Sequence, residues 1–256
     1  MKYEFNKAKH QHLLDGRALT GCTTVLSVIA KPALISWAAN MVVSYINEKA
    51  PYISYVEGEI LKHPQTGHEY EGSFYLVSEE LLEEASKAHC RRKKEAGDYG
   101  TKTHEEIENL VLNAIKNNNG IVSGTSDNKS IQNFIDWSTE NKVKFLESEK
   151  NIYSERLWIG GIVDLVVEID GQIWIGDVKT SKSGIYAENF WQCAGYHLML
   201  NDMNLYPNIS GYLILNLKEN GEVLEKRSTS NEENKKAFLA CLDIYRIQEK
   251  IKNQVL

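Results

Sequence analysis

The stretch from residue 161 to residue 179 reads GIVDLVVEIDGQIWIGDVK, and the predicted fold is built outward from it. Two runs rich in Val and Ile, residues 162–169 and 172–179, flank the pair Asp170-Gly171. An Asp-Gly pair suits a type I′ turn, because both central residues of that turn need a positive φ. The stretch therefore predicts an antiparallel hairpin with a two-residue loop.

The predicted hairpin brings two carboxylates together. A two-residue loop places Asp164 directly opposite Asp177, and Lys179 projects from the same face as Asp177. Two carboxylates about 5 Å apart, at an effective dielectric constant of about 20, repel each other by roughly 3 kcal/mol. The residues that flank them in the hairpin are apolar: Val163, Leu165, Ile175 and Val178. Positive charge is therefore expected beside the pair.

The hairpin alone leaves two explanations of this pair open. A divalent cation would cancel the charge of both carboxylates and take their oxygens as ligands. Alternatively, a bulge or a shifted register separates Asp164 from Asp177, and each is hydrogen-bonded at a strand end.

The composition is that of an ordinary globular protein. The chain has 256 residues, of which 42% are hydrophobic and 25% charged, enough for one large domain or two small ones. It has no apolar run of about 18 residues and no signal-peptide core near the N-terminus, so a cytoplasmic protein without a membrane partner is predicted. The scattered cysteines are predicted to be reduced thiols, and their spacing argues against bound zinc or an iron–sulfur cluster: Cys22, Cys90, Cys193 and Cys241.

The charge pattern restricts how the chain can meet nucleic acid. A formal net charge of −6 disfavours a protein that coats nucleic acid by bulk attraction. It leaves room for an enzyme with a local basic strip. The densest basic run comprises Arg91, Arg92, Lys93 and Lys94. Such a run, by itself, is typical of a solvated helix face.

The rest of the chain predicts a mixed sheet flanked by helices, of the α/β or α+β class. Helices are predicted at residues 32–49, 79–96, 103–118, 130–144, 187–200 and 230–253. Residues 19–30 are predicted to be a strand or a short helix. Further strands are predicted at residues 151–158, 212–217 and 223–227, and the stretch 117–128 is predicted to be a loop.

Two predicted helix boundaries lie near a candidate functional histidine. Gly97 is predicted to end one helix, and Thr103-His104-Glu105-Glu106 matches a capping box that would begin the next. His104 would then lie in the first turn of a helix, shortly after Gly100. Taken alone, it could equally be an exposed polar residue.

Four short motifs together resemble the PD-(D/E)xK nuclease superfamily, and most closely its RecB-type and phage exonuclease branch. The motifs are Gly100-x3-His104, Gly161-x2-Asp164, Asp177-x-Lys179 and Gln192-x3-Tyr196. The resemblance implies a restriction-endonuclease-like nuclease core in residues 100–256. Residues 1–99 would be an N-terminal helical, DNA-guiding region packed on that core, so that the chain is one compact domain.

The resemblance also implies roles for the matching residues. Asp164, Asp177, His104 and the carbonyl of Val178 would bind one or two Mg2+ or Mn2+ ions. Lys179 would position or activate the attacking water. Gln192 and Tyr196 would support the lysine or the scissile phosphate. The residues expected to contact DNA are Arg91, Arg92, Lys93, Lys94 and Lys182.

The chain departs from the family pattern at two points. Asp177 stands where other members have Glu, which is a change within the pattern. Some relatives carry a cysteine-bound iron–sulfur cluster, and the cysteine spacing here cannot build one. No such cluster is therefore expected.

Each motif residue also has a plain structural interpretation. Lys179 could form an ordinary ion pair with an aspartate. Gln192 and Tyr196, at helical spacing, could simply pack and share one hydrogen bond. Glu155 could support the site from behind but is predicted to be a structural or surface residue, and His63 and His68 are predicted to be surface histidines.

The function expected from the resemblance is metal-dependent exonuclease activity on DNA ends, single- or double-stranded. The protein would serve phage recombination or replication in the cytoplasm of a bacterial host, with a phage recombination or replication protein as a partner. Two alternatives stay open: an endonuclease of restriction or junction-resolving type on the same core, and a non-catalytic DNA- or protein-binding module.

Overall fold

The structure is a computed structural model, and it describes residues 2–29, 31–50, 52–53, 61–62, 67, 69–70, 74–75 and 77–255. His63 and His68 lie outside the described residues. The chain divides into two compact units, one of Met1–Ala30 with Asp98–Leu256 and one of Lys31–Gly97. The first 30 residues therefore group with the C-terminal part, whereas sequence analysis placed them in an N-terminal region of residues 1–99.

Thirteen strands and seven α-helices are described. The strands are β1 (Tyr3–Asn6), β2 (Gln11–Leu14), β3 (Arg17–Ala18), β4 (Thr20–Gly21), β5 (Tyr52–Ile53), β6 (Leu61–Lys62), β7 (Glu69–Tyr70), β8 (Phe74–Tyr75), β9 (Lys144–Ser154), β10 (Ile159–Ile169), β11 (Gln172–Lys179), β12 (Ile209–Leu217) and β13 (Val223–Ser228). The helices are α1 (Cys22–Val25), α2 (Pro32–Lys49), α3 (Glu79–Ser86), α4 (Ala88–Asn117), α5 (Lys129–Glu140), α6 (Ala187–Asp202) and α7 (Asn231–Val255), with a 3-10 turn at Leu26–Val28.

The larger unit is built on a six-stranded mixed sheet. Its strands follow the order β13-β12-β11-β10-β4, and β9 pairs with the other edge of β10. The pairs β11–β12 and β10–β4 are parallel, whereas β9–β10, β10–β11 and β12–β13 are antiparallel. With helices on its faces, the sheet confirms the predicted mixed α/β class.

The central hairpin has the predicted turn and register. Asp170 and Gly171 have φ values of 51° and 72°, as a type I′ turn requires. Ladder pairing runs from Ile169↔Gln172 to Leu165↔Gly176, the register of a two-residue loop. The strand β10 begins at Ile159, three residues before the predicted start.

Two hydrophobic clusters cover the two faces of the sheet. One cluster joins α6 and α7 to the sheet through residues such as Met199, Phe238 and Tyr212. The other joins α4 and α5 to the opposite face, with Val111 and Phe134 fully buried. The crossover from β11 through α6 to the parallel strand β12 is the connection that parallel pairing demands.

The helix that carries His104 differs from the prediction. The helix α4 runs unbroken from Ala88 to Asn117, so Gly97 does not end a helix and Thr103 does not begin one. The break falls earlier, at Lys87, after α3. Thr103 is 1% exposed within α4, so its hydroxyl is part of the interior rather than a cap. Tertiary packing of this helix outweighs the cost of about 1 kcal/mol for each glycine.

Several other boundaries shift without changing the architecture. The residues predicted as a strand or short helix at 19–30 form β4, α1 and the 3-10 turn. The strand predicted at residues 151–158 is β9, which begins at Lys144, and the helix predicted to end at residue 144 ends at Glu140. The strands β1, β2 and β3 form a small sheet that sequence analysis did not predict.

The unit of Lys31–Gly97 contains α2, α3 and two short strand pairs, β5–β8 and β6–β7. The predicted bounds of α2 are confirmed, with Pro32 in its first turn. Ser78 caps α3 as predicted, because its Oγ accepts a hydrogen bond from the Leu81 N–H at 3.1 Å. Among the described residues, no helix is long and apolar enough to cross a bilayer.

Gly195→Ala is expected to destabilise the larger unit. A Cβ at this position in α6 would lie 2.6 Å from the ring of Phe238 on α7 and 2.7 Å from the Sγ of Cys22. Overpacking of this kind costs about 1–3 kcal/mol, and better helix propensity returns about 1 kcal/mol. The free energy of unfolding, measured with urea, should fall by about 1 kcal/mol, the middle of the net range of about 0–2 kcal/mol.

Gly184→Ala is the matched control, since a Cβ there meets no atom within 4 Å. Its free energy of unfolding should change by less than about 0.5 kcal/mol. Equal stabilities of the two variants would contradict the close packing of α6 on α7.

Candidate active site

The candidate site lies where β10 changes partners. On one edge β10 pairs with β9 along its length. On the other edge it pairs with β11 only as far as Leu165, and with β4 at Ile159 and Gly160. Between them, Asp164 Oδ2 accepts a hydrogen bond of 2.9 Å from the backbone N–H of Val178 on β11. A side-chain oxygen thus takes the role that a backbone carbonyl has elsewhere in the ladder.

The pleat of β10 is irregular at this point. Val163 packs in the cluster beneath α6 and α7, whereas Leu165, two residues later, packs in the cluster on the opposite face. A regular strand would place both residues on one face. The register against β11 is therefore the predicted one, and Asp164 is hydrogen-bonded where that ladder ends. The pairing of β10 with β9 has a register shift between Val166 and Val167.

Asp177 is the most deeply buried acid of the site, with its side chain 0% exposed. Its Oδ1 accepts a hydrogen bond of 3.0 Å from Gln192 Nε2 on α6. The Nζ of Lys179 lies 2.7 Å from Oδ2 and forms a close ion pair with it. The pKa of Asp177 is raised to about 6, chiefly by burial and also by the charge of Asp164, while Lys179 opposes the rise.

Asp164 shares the electrostatic environment of Asp177. Its side chain is 13% exposed. Burial raises the pKa of Asp164, while the positive charges of His104 and Lys179 oppose that rise. Both aspartates in turn raise the pKa of Lys179, more than burial lowers it. The two carboxylates therefore act on one ammonium group, which is what the hairpin register predicts.

Glu149 joins the site from the third strand. The ladder pairs Lys150 with Val163 and Ser148 with Leu165, so Glu149 on β9 lies opposite Asp164. Glu149 has a φ of 46°, a left-handed conformation that is uncommon for a residue other than glycine, above all within a strand. Strain of this kind is found at sites where the surrounding structure imposes it.

His104 completes a three-residue cluster with Glu149 and Asp164. Its Nδ1 lies 3.5 Å from Glu149 Oε1 and 4.0 Å from Asp164 Oδ2. One ligand atom of each residue lies within 4.8 Å of the others. Partial burial lowers the pKa of His104, but hydrogen bonding to Glu149 and the charge of Asp164 outweigh it, so the net shift is upward.

Two glycines of the sequence motifs allow the helices to approach the sheet. A Cβ at Gly100, one turn before His104 on α4, would lie 2.9 Å from the Oγ1 of Thr180, which follows β11. A Cβ at Gly161 on β10 would lie 3.1 Å from Cε1 of Tyr196 on α6. Both positions favour glycine because a helix and a neighbouring segment meet there.

Gln192 and Tyr196 form the α6 side of the site. Gln192 Nε2 donates to the hydroxyl of Tyr196 at 2.6 Å as well as to Asp177. Tyr196 is 3% exposed, so its ring packs in the core while its hydroxyl fixes the amide. The pair therefore orients the Asp177 carboxylate, and Val178, between Asp177 and Lys179, holds Asp164 through its N–H.

The donor set fits a divalent cation. Oδ2 of Asp177 is buried, with the ammonium of Lys179 2.7 Å away. The carboxylates of Asp164 and Glu149 offer the oxygen ligands that Mg2+ and Mn2+ prefer, whereas Asp177, a predicted ligand, is not part of this cluster. The imidazole of His104 adds a nitrogen ligand, which suits Mn2+ better than Mg2+. Several acids in a half-buried site also need positive charge beyond that of Lys179.

The predicted DNA-contacting residues lie apart from this cluster in the chain. Lys182 is exposed in the loop after β11, with its Nζ 3.6 Å from Glu219 Oε2. The run Arg91–Lys94 is exposed on the part of α4 that belongs to the unit of Lys31–Gly97.

Two of the four basic side chains in that run have partners within their own unit. Arg91 donates to the Glu84 carbonyl at 2.8 Å and lies over the ring of Tyr45 at 4.7 Å. Arg92 pairs with Glu95 at 2.9 Å. The ammonium groups of Lys93 and Lys94 form no ion pair with a described residue.

Sequence reasoning missed Glu149 and weighed Glu155 in its place. Glu155 is exposed in the turn after β9, in agreement with the surface role predicted for it. Glu149 belongs to none of the four motifs, and its strand was predicted to begin only at residue 151. The signal that could have identified Glu149 is the pairing of β9 with β10, since its register places Glu149 opposite Asp164.

No family model matches the sequence, and no curated protein matches it. The resemblance to PD-(D/E)xK nucleases therefore depends on the motif residues alone.

Asp177→Asn is expected to stabilise the metal-free chain at neutral pH. The pKa of Asp177 is about 6 in the folded chain against an ordinary value of 3.8. Stability is therefore lost as the pH rises from about 4 to about 6, where the unfolded chain ionises before the folded one, and the loss stays constant above pH 6. A difference of this size corresponds to roughly 3 kcal/mol. Urea unfolding in EDTA should show this gain at about pH 7.5 and lose it below about pH 4, where both states are protonated.

Asp170→Asn is the control, because Asp170 is exposed in the hairpin turn and an Asn-Gly pair suits the same turn. Its stability should follow the wild type across the pH range. A destabilised Asp177→Asn variant at pH 7.5 would contradict the cost assigned to the buried charge.

Proposed function

We propose that this chain is a divalent-metal-dependent deoxyribonuclease that hydrolyses phosphodiester bonds from DNA ends. It would be built on the restriction-endonuclease-like core of the PD-(D/E)xK superfamily. The observation that supports this most is the convergence of Asp164 and Asp177 on the ammonium group of Lys179, where the hairpin ladder ends. Two acids and a lysine in this order are also the centre of the resemblance to RecB-type and phage exonucleases.

Phosphodiester hydrolysis needs a nucleophilic water, neutralisation of the negative charge on the phosphate, and a stabilised leaving oxygen. A divalent cation held by carboxylates supplies all three when it is bound. The residues that would hold it are Asp164, Asp177, Glu149 and His104, with the carbonyl of Val178 as a further ligand implied by the resemblance. Gln192 and Tyr196 keep the Asp177 carboxylate in a fixed orientation for this role.

Lys179 is suited to orient a reactant. Its side chain is 29% exposed, so the ammonium can meet a phosphate oxygen or a water from solvent while it remains beside Asp177. Since both aspartates raise its pKa, Lys179 is protonated at neutral pH in the metal-free chain. It therefore acts there as a hydrogen-bond donor and a positive charge, and not as a base.

The biological setting follows from the resemblance alone. We infer DNA ends as the substrate, a role in phage recombination or replication beside a protein of that pathway, and action in the cytoplasm of a bacterial host. The exposed Lys93, Lys94 and Lys182 are available to contact the phosphate backbone.

The wild-type protein is expected to degrade end-labelled linear DNA in Mg2+ or Mn2+ and to be inactive in EDTA. Asp177→Ala should reduce the rate by about 10² or more, because it removes a ligand and the partner of Lys179. Glu155→Gln, which removes an exposed acid from the turn after β9, should leave the rate unchanged. Release of labelled nucleotides over time measures all three proteins.

Covalently closed circular DNA, assayed in parallel, separates the proposed activity from the alternatives. Cleavage of linear DNA alone supports the exonuclease. Nicking of circles would replace it by an endonuclease on the same core. If wild type and Asp177→Ala behave alike in every metal, the chain is a non-catalytic binding module.

The basic run on α4 is expected to contribute to DNA affinity through its unpaired lysines. Replacing Lys93 and Lys94 by Gln should weaken DNA binding and make it less dependent on salt. Each lost phosphate contact lowers the slope of log affinity against log salt by about 0.7–0.9. Fluorescence anisotropy at several salt concentrations, with Ca2+ in place of Mg2+, measures the slope.

Replacing Lys7 and Lys9 by Gln is the charge-matched control, since both are exposed and the net charge changes equally. This control should preserve most of the salt slope. If the two double variants have the same slope, the run on α4 does not contact DNA. Extending the change to Arg91 and Arg92 should add less per residue, because their side chains already have partners.

A further inference from the structure

The C-terminal helix α7 carries an exposed apolar face that the proposed nuclease activity does not use. Ile244, Ile247 and Ile251 are 47%, 58% and 53% exposed. With Ala237 and Ala240 they recur at alternating spacings of three and four residues. We call these five residues the α7 seam. Such spacing is that of the apolar positions in a coiled coil.

The α7 seam faces away from the core of its own unit. Phe238, Cys241 and Leu242 pack α7 against the sheet and α6, and all three are buried. At 100° per residue, the centre of the seam is turned well over 90° from that buried face. One helix therefore has two apolar faces, and only one of them is covered within the described part of the chain.

The last turns of α7 are not stabilised by burial against the core of their own unit. Residues 246–254 are exposed apart from the half-buried Glu249. A helical segment of this length is marginal in water unless a face of it packs. Burial of the seam would supply that packing.

We propose that the α7 seam docks on the α7 seam of a second copy of this chain, with the two helices antiparallel. In this arrangement Ile244 packs against Ile247 of the partner subunit, and Ile251 packs against Ala240 of the partner subunit. Large residues then meet small ones at both ends, and isoleucines meet at the centre. The twofold axis passes between the two central layers.

Charge decides the antiparallel orientation. Asp243 and Lys250 flank the seam on one side, and neither forms an ion pair with a described residue. In the antiparallel pair, Asp243 faces Lys250 of the partner subunit, and symmetry produces this contact twice. In a parallel pair, Asp243 would face the neutral Gln248 of the partner subunit. The seam is therefore complementary to itself only when the helices are antiparallel.

Sedimentation equilibrium or light scattering on the full chain tests the proposal. The wild type should have about twice the monomer mass of 29.1 kDa at high micromolar concentration. Ile247→Lys should be a monomer. Asn253→Lys adds the same charge to α7 away from the seam and should remain a dimer. Unchanged far-ultraviolet circular dichroism shows that each variant is folded.

A charge swap separates this interface from other modes of association. Asp243→Lys alone and Lys250→Asp alone should each weaken the dimer by roughly tenfold, since two ion pairs become two repulsions. The double variant restores opposite charges across the twofold axis and should recover the wild-type dissociation constant. A monomeric wild type, or single swaps without effect, would overturn the proposal, as would a double variant that fails to recover.

Discussion

The site depends on one unfavourable interaction: carboxylates that repel each other are held in a part of the sheet from which water is largely excluded. Burial of Asp177 and the charge of Asp164 oppose ionisation, and a single ammonium, that of Lys179, compensates only in part. The hairpin imposes this proximity because its tight turn fixes which residues face each other. A folded chain with unbalanced negative charge in its interior attracts cations.

Close packing of helices on the sheet fixes the positions of the side chains around these carboxylates. The helices α4 and α6 reach the sheet at Gly100 and Gly161, where even a methyl group would be crowded. From α4 comes the imidazole of His104, and from α6 comes the amide of Gln192. The histidine and the glutamine approach different acids, so each carboxylate has its own support. Such support keeps ligand oxygens in place before any ion binds.

The sequence predicted what depends on local chemistry and missed what depends on distant contacts. The turn at Asp170-Gly171 specified the hairpin register, since few residue pairs adopt that backbone. Gly97 predicted a helix end that does not exist, because packing against other elements outweighs local propensity. Glu149 was missed for a similar reason: its place in the site results from strand pairing and from a backbone angle that no short motif specifies.

The left-handed backbone conformation of Glu149 lowers the stability of the fold at a residue of the acidic cluster. Glycine and asparagine tolerate such an angle far better than glutamate does. Any selection of this chain for heat resistance alone would therefore favour replacement of Glu149, and would gain stability by losing one carboxylate of the cluster. Glutamate at position 149 places a carboxylate beside His104 and Asp164 at the cost of a strained backbone angle.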